Sequence, residues 1–327
     1  MSQYDVVSIC NALVDILVEA EDKDIDALGL TKGVMHLVDQ SRQDEVLEHF
    51  HGKSTTKELG GSSLNAIRTI ASLGLKTSFA GMIGDDAYGR LITERMTELN
   101  IQQGLKTSSD STGTCLILVT PDGERTMNTN LGASRLFDDS LLPSEAIKNS
   151  KIFHFCGYQW DTDGQIAAIE AACKLAKAQG VKISFDVADP FVIGRHKEAF
   201  LGVISEFADI VFANKEEAKM LFDKDPEGAA RQIAESSAIA VVKKGGEGAI
   251  IVDGETLIEI DPVKTNVVDT TAAGDMFAAG FLYGLAGGKS LKTCGSLGAV
   301  LASDVISRTG ATVSEKALEE AKKMFNS

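Results

Sequence analysis

Residues Asp269 to Asp275, with the sequence DTTAAGD, combine the residue types that phosphoryl transfer requires. Small side chains at Ala272, Ala273 and Gly274 allow a tight turn whose backbone N–H groups can approach an anion. The apolar run that follows indicates a helix, and its positive dipole end would face the same anion. Asp275 could then take a proton from an attacking hydroxyl while the N–H groups hold the phosphate. A helix N-terminus with an acidic first turn explains the pattern equally well, so both interpretations stay open at this point.

A second glycine turn, Gly60-Gly61, precedes a helical pattern that begins at Ser62. Ser62 is typical of a helix N-cap, and plain capping would explain the turn. Asn65 suggests more, because one turn into the helix its amide can both donate hydrogen bonds to a polyol and accept them from it.

Polar side chains also follow the first predicted strand and a later one. After the first come Asn11 and Asp15, and a carboxylate can accept hydrogen bonds from two neighbouring sugar hydroxyls. After the later strand come Asn214 and Glu217, which form the pattern N-x-x-E. That pattern is also typical of an asparagine N-cap with an acidic first helical turn.

Lys243 and the glycines Gly245 and Gly248 follow a further predicted strand. The flexible backbone of this turn could surround a nucleotide, with Lys243 as a cation, although a tight hairpin needs the same glycines. Two glycine-lysine-serine sequences elsewhere in the chain are not P-loops, because both lack the earlier glycine of that motif.

The 327-residue chain has 47 acidic and 32 basic residues, which give it a net charge of −15. Such a charge opposes binding to nucleic acids and to anionic membranes, so we expect a small-molecule partner. The apolar runs are shorter than the ~20 residues that span a bilayer, and the N-terminus lacks the pattern of a signal peptide. We therefore expect a cytoplasmic protein, as a monomer or a homodimer. The five cysteines are widely spaced and form no C-x-x-C pair, which argues against disulfides and a zinc site.

The C-terminal half of the chain alternates short apolar runs with helical patterns. This β-α-β rhythm predicts a parallel sheet with helices on both faces and ligands at the carboxyl ends of the strands. The predicted strands are residues 152–155, 183–185, 210–213 and 240–242, and the predicted helices are residues 163–179, 198–207, 215–222 and 229–235.

The N-terminal third contains a first core strand at residues 4–9 and several short strands, among them residues 125–130, that look antiparallel. Helical patterns at residues 62–73 and 88–99 separate these short strands, so they cannot form a domain of their own. We therefore predict one domain, residues 1–327, with a small β lid that keeps water out of the site. The lid segments are approximately residues 12–20, 33–39 and 112–131.

Four of these motifs are the glycine turn with Asn65, the N-x-x-E pattern, the glycine turn after Lys243 and the DTTAAGD loop. They occur in the order and at the approximate spacing of the ribokinase-like (PfkB) family of carbohydrate and nucleoside kinases, which the chain resembles over nearly its whole length. The glycine turn with Asn65 and the DTTAAGD loop are specific to that family when they occur together. The resemblance implies an α/β fold with a mostly parallel central sheet, helices on both of its faces and a small β-sheet lid.

The resemblance also implies a role for each matching residue on the acceptor side. Asp275 matches the catalytic base, and the amides of Ala272, Ala273 and Gly274 match an anion hole. The residues that match substrate contacts are Asp15, Gly60, Gly61 and Asn65, with Asn11 beside them.

The resemblance further implies ATP and Mg²⁺ as cofactors. Asn214 and Glu217 match residues that organise magnesium and the phosphates, with the metal held by Glu217 through water. Asp269 and Thr271 lie where some members hold a monovalent cation such as K⁺. The residues that match a nucleotide-binding turn are Lys243, Gly245 and Gly248.

Two departures from the family pattern are informative. The family usually has glycine where Ala272 stands. Alanine still offers its N–H provided that its φ is negative, so we expect a functional but slightly altered turn. Residues 186–190 lack the asparagine and arginine of many sugar kinases. Residues 11–15 and 124–133 look more like the adenosine-kinase branch.

These observations predict an ATP-dependent kinase that transfers the γ-phosphate to a hydroxyl of an adenosine-like nucleoside or of a sugar. A sugar kinase of the ribokinase, fructokinase or ketodeoxygluconate kinase type stays open, as does a nucleotide or sugar sensor on the same fold. A sensor, however, has no need of a base such as Asp275. A hydride-transfer enzyme is disfavoured because no G-x-G-x-x-G follows the first strand.

Overall fold

The computed structural model describes residues 2–236 and 239–327. In these ranges the strands are β1 (Tyr4–Ile9), β2 (Leu13–Glu19), β3 (Met35–Leu37), β4 (Thr55–Gly60), β5 (Thr77–Ala80), β6 (Met82–Gly84), β7 (Gln102–Gln103), β8 (Lys106–Ser108), β9 (Gly113–Val119), β10 (Arg125–Asn130), β11 (Ser150–Cys156), β12 (Lys182–Asp186), β13 (Ile210–Asn214), β14 (Ile239–Lys243), β15 (Ala249–Asp253) and β16 (Thr256–Ile260). The α-helices are α1 (Asp22–Ala27), α2 (Gln40–His49), α3 (Ser62–Ser72), α4 (Ala87–Glu98), α5 (Ser144–Lys148), α6 (Asp163–Ala178), α7 (Pro190–Glu206), α8 (Lys215–Phe222), α9 (Pro226–Ser236), α10 (Ala273–Ala286), α11 (Leu291–Val305) and α12 (Glu315–Asn326). None of these helices combines the length and the apolarity needed to cross a bilayer.

The central sheet has nine strands within the described ranges, in the order β16-β15-β14-β13-β12-β11-β1-β5-β7. The strands from β14 to β7 pair in parallel, and β15 and β16 add an antiparallel edge. Parallel pairing brings the carboxyl ends of β1, β11, β12, β13 and β14 to one edge of the sheet. The predicted α/β fold with a mostly parallel central sheet is confirmed.

Helices cover both faces of this sheet. Successive residues of each buried strand point to opposite sides, and the apolar side chains on both sides are buried against helices. Val6 of β1 packs in the hydrophobic cluster that contains Leu64 of α3 and Phe281 of α10. The neighbouring Val7 packs in a second cluster, which contains Ile169 of α6. All five side chains are fully buried, and burial of each contributes about 1.5–3 kcal/mol. The two clusters thus hold the strand ends that carry the site residues.

A second sheet, in the order β3-β10-β9-β2-β4, is built from separate parts of the N-terminal region. The prediction of antiparallel strands is wrong for two pairs, because β2 and β9 are parallel and so are β3 and β10. Long connections that include α3 and α4 separate those strands and permit parallel pairing, whereas the short turn from β9 to β10 requires antiparallel pairing. Strand β4 lies outside the predicted segments, because its first residues are polar and exposed and show no apolar alternation.

Alternation along β2 gives the second sheet two different faces. Val14 and Ile16 belong to the main hydrophobic core. Leu13 and Asp15 point to the opposite side, where they line a cavity. Side chains from β9 and β10 that line the same cavity are Cys115, Ile117, Met127 and Thr129. The second sheet therefore presents a mainly apolar face that includes the carboxylate of Asp15.

Candidate active site

A cavity of about 1250 Å³ is lined both by residues at the carboxyl ends of the central strands and by residues of the second sheet. Its volume exceeds the range of about 300–1,000 Å³ that is typical of a pocket for one ligand, so two substrates can be bound together. The predicted site residues in its wall are Asn11, Asp15, Gly61, Asn214, Glu217, Lys243, Gly245, Gly248, Thr271, Ala272, Ala273, Gly274 and Asp275. The predicted residues Gly60, Asn65 and Asp269 lie behind this wall.

Asp275 lies in the first turn of α10, and two side chains of α3 hold its carboxylate. The Oγ atom of Ser62 donates to Oδ1 at 2.7 Å, and Nδ2 of Asn65 donates to Oδ2 at 3.0 Å. The prediction that Ser62 caps α3 is wrong, because the N-cap is Gly61 with a φ of 96°. Burial raises the pKa of Asp275 above its ordinary value, although Asn65 and Ser62 both stabilise the charged form. The result is an oriented carboxylate with increased basicity.

The segment from Thr270 to Asp275, here called the anion loop, turns at Ala272. This alanine has φ 56° and ψ 9°, so the condition of a negative φ is not met and the backbone is left-handed. The N–H of Ala273 donates to the carbonyl oxygen of Thr270 at 3.3 Å. The N–H groups of Ala272 and Gly274 have no acceptor in the described part of the chain, which leaves two donors for an anion.

Gly60 and Gly61 permit two close approaches beside the anion loop. A Cβ atom on Gly60 would overlap with the carboxylate of Asp15, and one on Gly61 would overlap with the carbonyl oxygen of Asn11. Asp15 accepts no hydrogen bond from any described residue, although its side chain lies in the cavity wall and is only 8% exposed. Burial raises the pKa of Asp15 to about 7, while the nearby guanidinium of Arg68 favours the charged form. Its free oxygens suit donors from a ligand.

The side chain of Asn11 is held by the protein itself. Its Nδ2 donates to the carbonyl oxygen of Tyr158 at 3.1 Å, and its Oδ1 accepts from Nε2 of Gln165 at 2.8 Å. Asn11 therefore shapes the cavity wall with an amide that is already engaged on both sides.

Asn214 and Glu217 form a capping box at the start of α8. Oδ1 of Asn214 accepts from the N–H of Glu217 at 2.8 Å, and Oε2 of Glu217 accepts from the N–H of Asn214 at 2.7 Å. The capping interpretation of this motif is thus correct for the local structure, and both residues also line the cavity. Burial raises the pKa of Glu217 to about 7, against the opposing charge of Lys243.

Lys243 pairs with Asp186, a residue outside the predicted set of site residues. The Nζ atom of Lys243 donates to Oδ2 of Asp186 at 3.2 Å. Burial lowers the pKa of the ammonium group, but the carboxylates of Asp186 and Glu217 outweigh it and raise the pKa above its usual value. The sequence signal that indicates Asp186 as a site residue is its position at the carboxyl end of the predicted strand at residues 183–185.

Arg125 at the start of β10 forms a buried ion pair with Asp269 and also donates to Oγ1 of Thr271. Asp269 further accepts the N–H groups of Thr271 and Gly310, each at 2.9 Å. The monovalent-cation site at Asp269 and Thr271 stays a prediction, and in this geometry the guanidinium of Arg125 supplies a positive charge at the same place. Arg125 is a charged residue in an otherwise uncharged predicted strand, and that was the only signal for it in the sequence.

Comparisons with known proteins agree with this fold. A family model described as pfkB family carbohydrate kinase matches residues 22–318. The crystal structure of a probable sugar kinase from Rhizobium etli has a TM-score of 0.92 and 34% identity, covering 99% of both chains. Adenosine kinase from Sinorhizobium meliloti has a TM-score of 0.91 and 32% identity, covering 98% of this chain and 99% of that one. A nucleoside kinase from Methanothermobacter thermautotrophicus is 28% identical over 320 residues, 94% of this chain and 96% of that protein.

Replacement of Ala272 by glycine is expected to stabilise the protein, because glycine adopts a positive φ without the steric cost that alanine bears. The free energy of unfolding should rise by roughly 0.5–1 kcal/mol, after the larger loss of entropy on ordering glycine is subtracted. Ala273→Gly is the matched control, since it lies inside the first turn of α10, where glycine should lower that free energy. Urea unfolding measures both effects, and a less stable A272G variant would contradict the left-handed conformation.

Proposed function

The chain belongs to the pfkB family of carbohydrate kinases, and we propose that it transfers the γ-phosphate of ATP to a hydroxyl group of an adenosine-like nucleoside. Its relatives are sugar and nucleoside kinases, which makes it a phosphotransferase with an alcohol group as acceptor. The choice of a nucleoside within this class depends on the shape and polarity of the acceptor side of the cavity.

The observation that carries this choice is the apolar face of the second sheet beside Asp15. Its cavity-lining side chains are Leu13, Met35, Leu37, Cys115, Ile117 and Met127. Leu37 is 42% exposed, so an apolar ligand group would remove its surface from water at about 25 cal/mol per Å². A small polyol has no such group, whereas a nucleoside joins a flat base to two vicinal ribose hydroxyls. Asp15 would accept from those hydroxyls while the base covers the apolar face.

Asp275 is the base of the proposed reaction. It takes the proton of the acceptor hydroxyl, whose oxygen attacks the γ-phosphate, while Ser62 and Asn65 keep the carboxylate oriented. The N–H groups of Ala272 and Gly274 stabilise the charge that develops on the transferred phosphoryl group. A positioned base contributes about 10²- to 10⁴-fold to the rate.

Asn214 and Glu217 fit a Mg²⁺ ion that arrives with ATP, because carboxylate and amide oxygens are ligands that Mg²⁺ prefers. When bound, the ion would neutralise charge on the phosphates. Both oxygens of Glu217 are engaged in the capping box, so we propose contact through water. Among the residues that the structure describes, no group of three acidic, histidine or cysteine side chains could hold a metal alone, which fits an ion held largely by the nucleotide.

The nucleotide would lie over the turn with Gly245 and Gly248, which follows β14 of the central sheet, whereas Asp15 lies on the second sheet. We propose that the whole chain acts as one domain and that the second sheet is a lid, which excludes water from the transferred phosphate. Discrimination between the acceptor hydroxyl and water as the attacking nucleophile would then depend on closure of this sheet.

A sugar kinase is the second candidate. The probable sugar kinase of Rhizobium etli is similar over 99% of both chains, and Asp15 alone would suit a polyol. The apolar face of the second sheet argues for the nucleoside, and the acceptor panel below separates the two.

The proposed reaction is tested by ADP release from the purified protein with ATP, Mg²⁺ and single acceptors. The panel contains adenosine, other nucleosides, ribose, fructose and deoxy-keto acids. Adenosine-like nucleosides should give the highest kcat/KM. Higher values with a sugar would favour the second candidate, and no release with any acceptor would favour a sensor.

Asp275→Asn should lower turnover by roughly 10²- to 10⁴-fold and leave acceptor binding largely intact, because the base is lost while the cavity is kept. Asp163→Asn is the matched control, an exposed acid in the first turn of α6. Near wild-type turnover of the Asp275 variant would overturn the assigned role.

The KM for the acceptor should depend on pH through Asp15. A carboxyl group whose pKa is raised to about 7 is mainly neutral at pH 6 and mainly charged at pH 8. Because the charged form accepts both hydroxyls, KM should rise about tenfold as pH falls from 8 to 6 at saturating ATP and Mg²⁺. Asp15→Asn should raise KM at pH 8 and remove this dependence. An equal slope in that variant would show that another group titrates.

Turnover should not require K⁺, because Arg125 already supplies the cation at Asp269. Rates in potassium chloride and in tetramethylammonium chloride at equal ionic strength should agree, and several-fold activation by K⁺ would contradict this.

Arg125→Ala should lower the free energy of unfolding by about 3–5 kcal/mol, as for other broken buried ion pairs. The control Arg135→Ala removes an arginine that is 57% exposed and should change it by less than about 1 kcal/mol.

A further inference from the structure

We propose that Lys243 is a catalytic residue whose ammonium group contacts the phosphate being transferred, and that Asp186 is the residue that positions it. The proposal rests on the kinase function above and deepens it, because the family resemblance places Lys243 only in a nucleotide-binding turn. Three observations support the proposal: the position of the Lys243 side chain, its distance from the anion loop, and the contacts that fix Asp186.

The side chain of Lys243 crosses the carboxyl edge of the central sheet. Lys243 ends β14 and lies beside Asn214, the last residue of β13. Asp186 ends β12, on the other side of β13. Because Nζ of Lys243 lies 3.2 Å from Oδ2 of Asp186, the lysine spans the end of β13 instead of extending into solvent, and its side chain is only 15% exposed.

The ammonium group of Lys243 also faces the anion loop. A Cβ atom built on Gly274 would lie 3.0 Å from Nζ, so the ammonium lies next to the loop at this glycine. The N–H groups of Ala272 and Gly274 are free at the same place. Of the three N–H donors of the ammonium, Asp186 uses one, and the described residues provide no acceptor for the other two. A phosphate group bound at the anion loop would supply acceptors for both sets of donors.

Asp186 is itself fixed by its own loop. Its Oδ1 accepts the N–H of Ala188 at 3.1 Å, which leaves Oδ2 for Lys243. Ala188 reaches this position with a φ of 79°, a left-handed conformation that L-residues other than glycine rarely adopt. Strained backbone of this kind occurs mainly where the surrounding structure enforces it, often at functional sites. The side chain of Asp186 is only 5% exposed, so a buried and hydrogen-bonded carboxylate holds the ammonium in place.

Lys243 stays protonated throughout the proposed reaction and takes no part in the proton transfer. The acceptor oxygen forms a bond to the γ-phosphorus, its proton goes to Asp275, and the bond from that phosphorus to the bridging oxygen breaks. The electron pair leaves with ADP. Negative charge shifts among the phosphoryl oxygens during this exchange, and a fixed ammonium beside them stabilises the transition state without gaining or losing a proton.

Binding of ADP and of a non-hydrolysable ATP analogue to Lys243→Met tests the contact without turnover. If the ammonium contacts the transferred phosphate, the variant should lose at least tenfold more affinity for the analogue than for ADP. Lys244→Met is the matched control, a neighbouring lysine in the same turn that makes no ion pair within the described residues, and both affinities should stay within about twofold. Equal losses for the two nucleotides, or no loss, would overturn the proposal.

Turnover separates this inference from the kinase proposal. Lys243→Met should lower kcat by 10²- to 10³-fold with a far smaller change in the KM for the acceptor. A wild-type protein that releases no ADP with any acceptor would sink the kinase function and this inference with it. An active wild type with an equally active Lys243→Met variant would overturn this inference alone.

The positioning role of Asp186 has its own readout. Asp186→Asn should lower kcat about tenfold and leave the Mg²⁺ concentration at half-maximal rate unchanged, because the residue acts through Lys243. The double variant with Lys243→Met should be no slower than Lys243→Met alone. A several-fold shift of the Mg²⁺ midpoint would identify Asp186 as a metal-binding residue and overturn this part. Thermal unfolding of each variant confirms that the compared proteins are folded.

Discussion

Carboxylates buried around the cavity need compensating groups, and the organisation of the site depends on how each one is compensated. Asp269 is paired with a guanidinium and Asp186 with an ammonium group. Asp275 has only neutral donors, so burial still makes it more basic than an ordinary carboxylate. Asp15 has no hydrogen bond from any described residue, and its pKa rises to about 7. The protein thus pairs two of these acids with cations and leaves Asp275 and Asp15 without one, as the proposed reaction requires.

Much of the fold could be predicted from local pattern, and the rest depended on contacts between distant segments. The strands β1 and β10 and the helix α8 have the predicted bounds. Strand β1 is rich in apolar residues, β10 follows the turn-forming sequence at residues 121–123, and Asn214 caps α8. Strand β4 was missed because it is held by pairing with β2, while its own residues are polar. The pairing direction in the second sheet was missed for two pairs because connection length permits either direction.

The site motifs could be located because tight turns and anion binding demand particular residue types at short spacing. The conformation of Ala272 could not be predicted, since the sign of its φ is set by how α10 meets the loop before it. Ser62 was interpreted as a cap, yet its hydroxyl serves Asp275, 213 residues away in sequence. Arg125 likewise reaches Thr271 across 146 residues. A single sequence contains no local signal for such long-range pairs.

The ion pair of Arg125 and Asp269 has a mechanical consequence. Arg125 belongs to the second sheet, whereas Asp269 immediately precedes the anion loop and also accepts a hydrogen bond from the N–H of Gly310. A movement of the second sheet away from the anion loop would have to separate the charges of Arg125 and Asp269, whose side chains are both buried. In the lid that we propose, this ion pair would therefore link the position of the second sheet to the conformation of the anion loop, so that closure over the acceptor and shaping of the phosphate-binding turn would occur together.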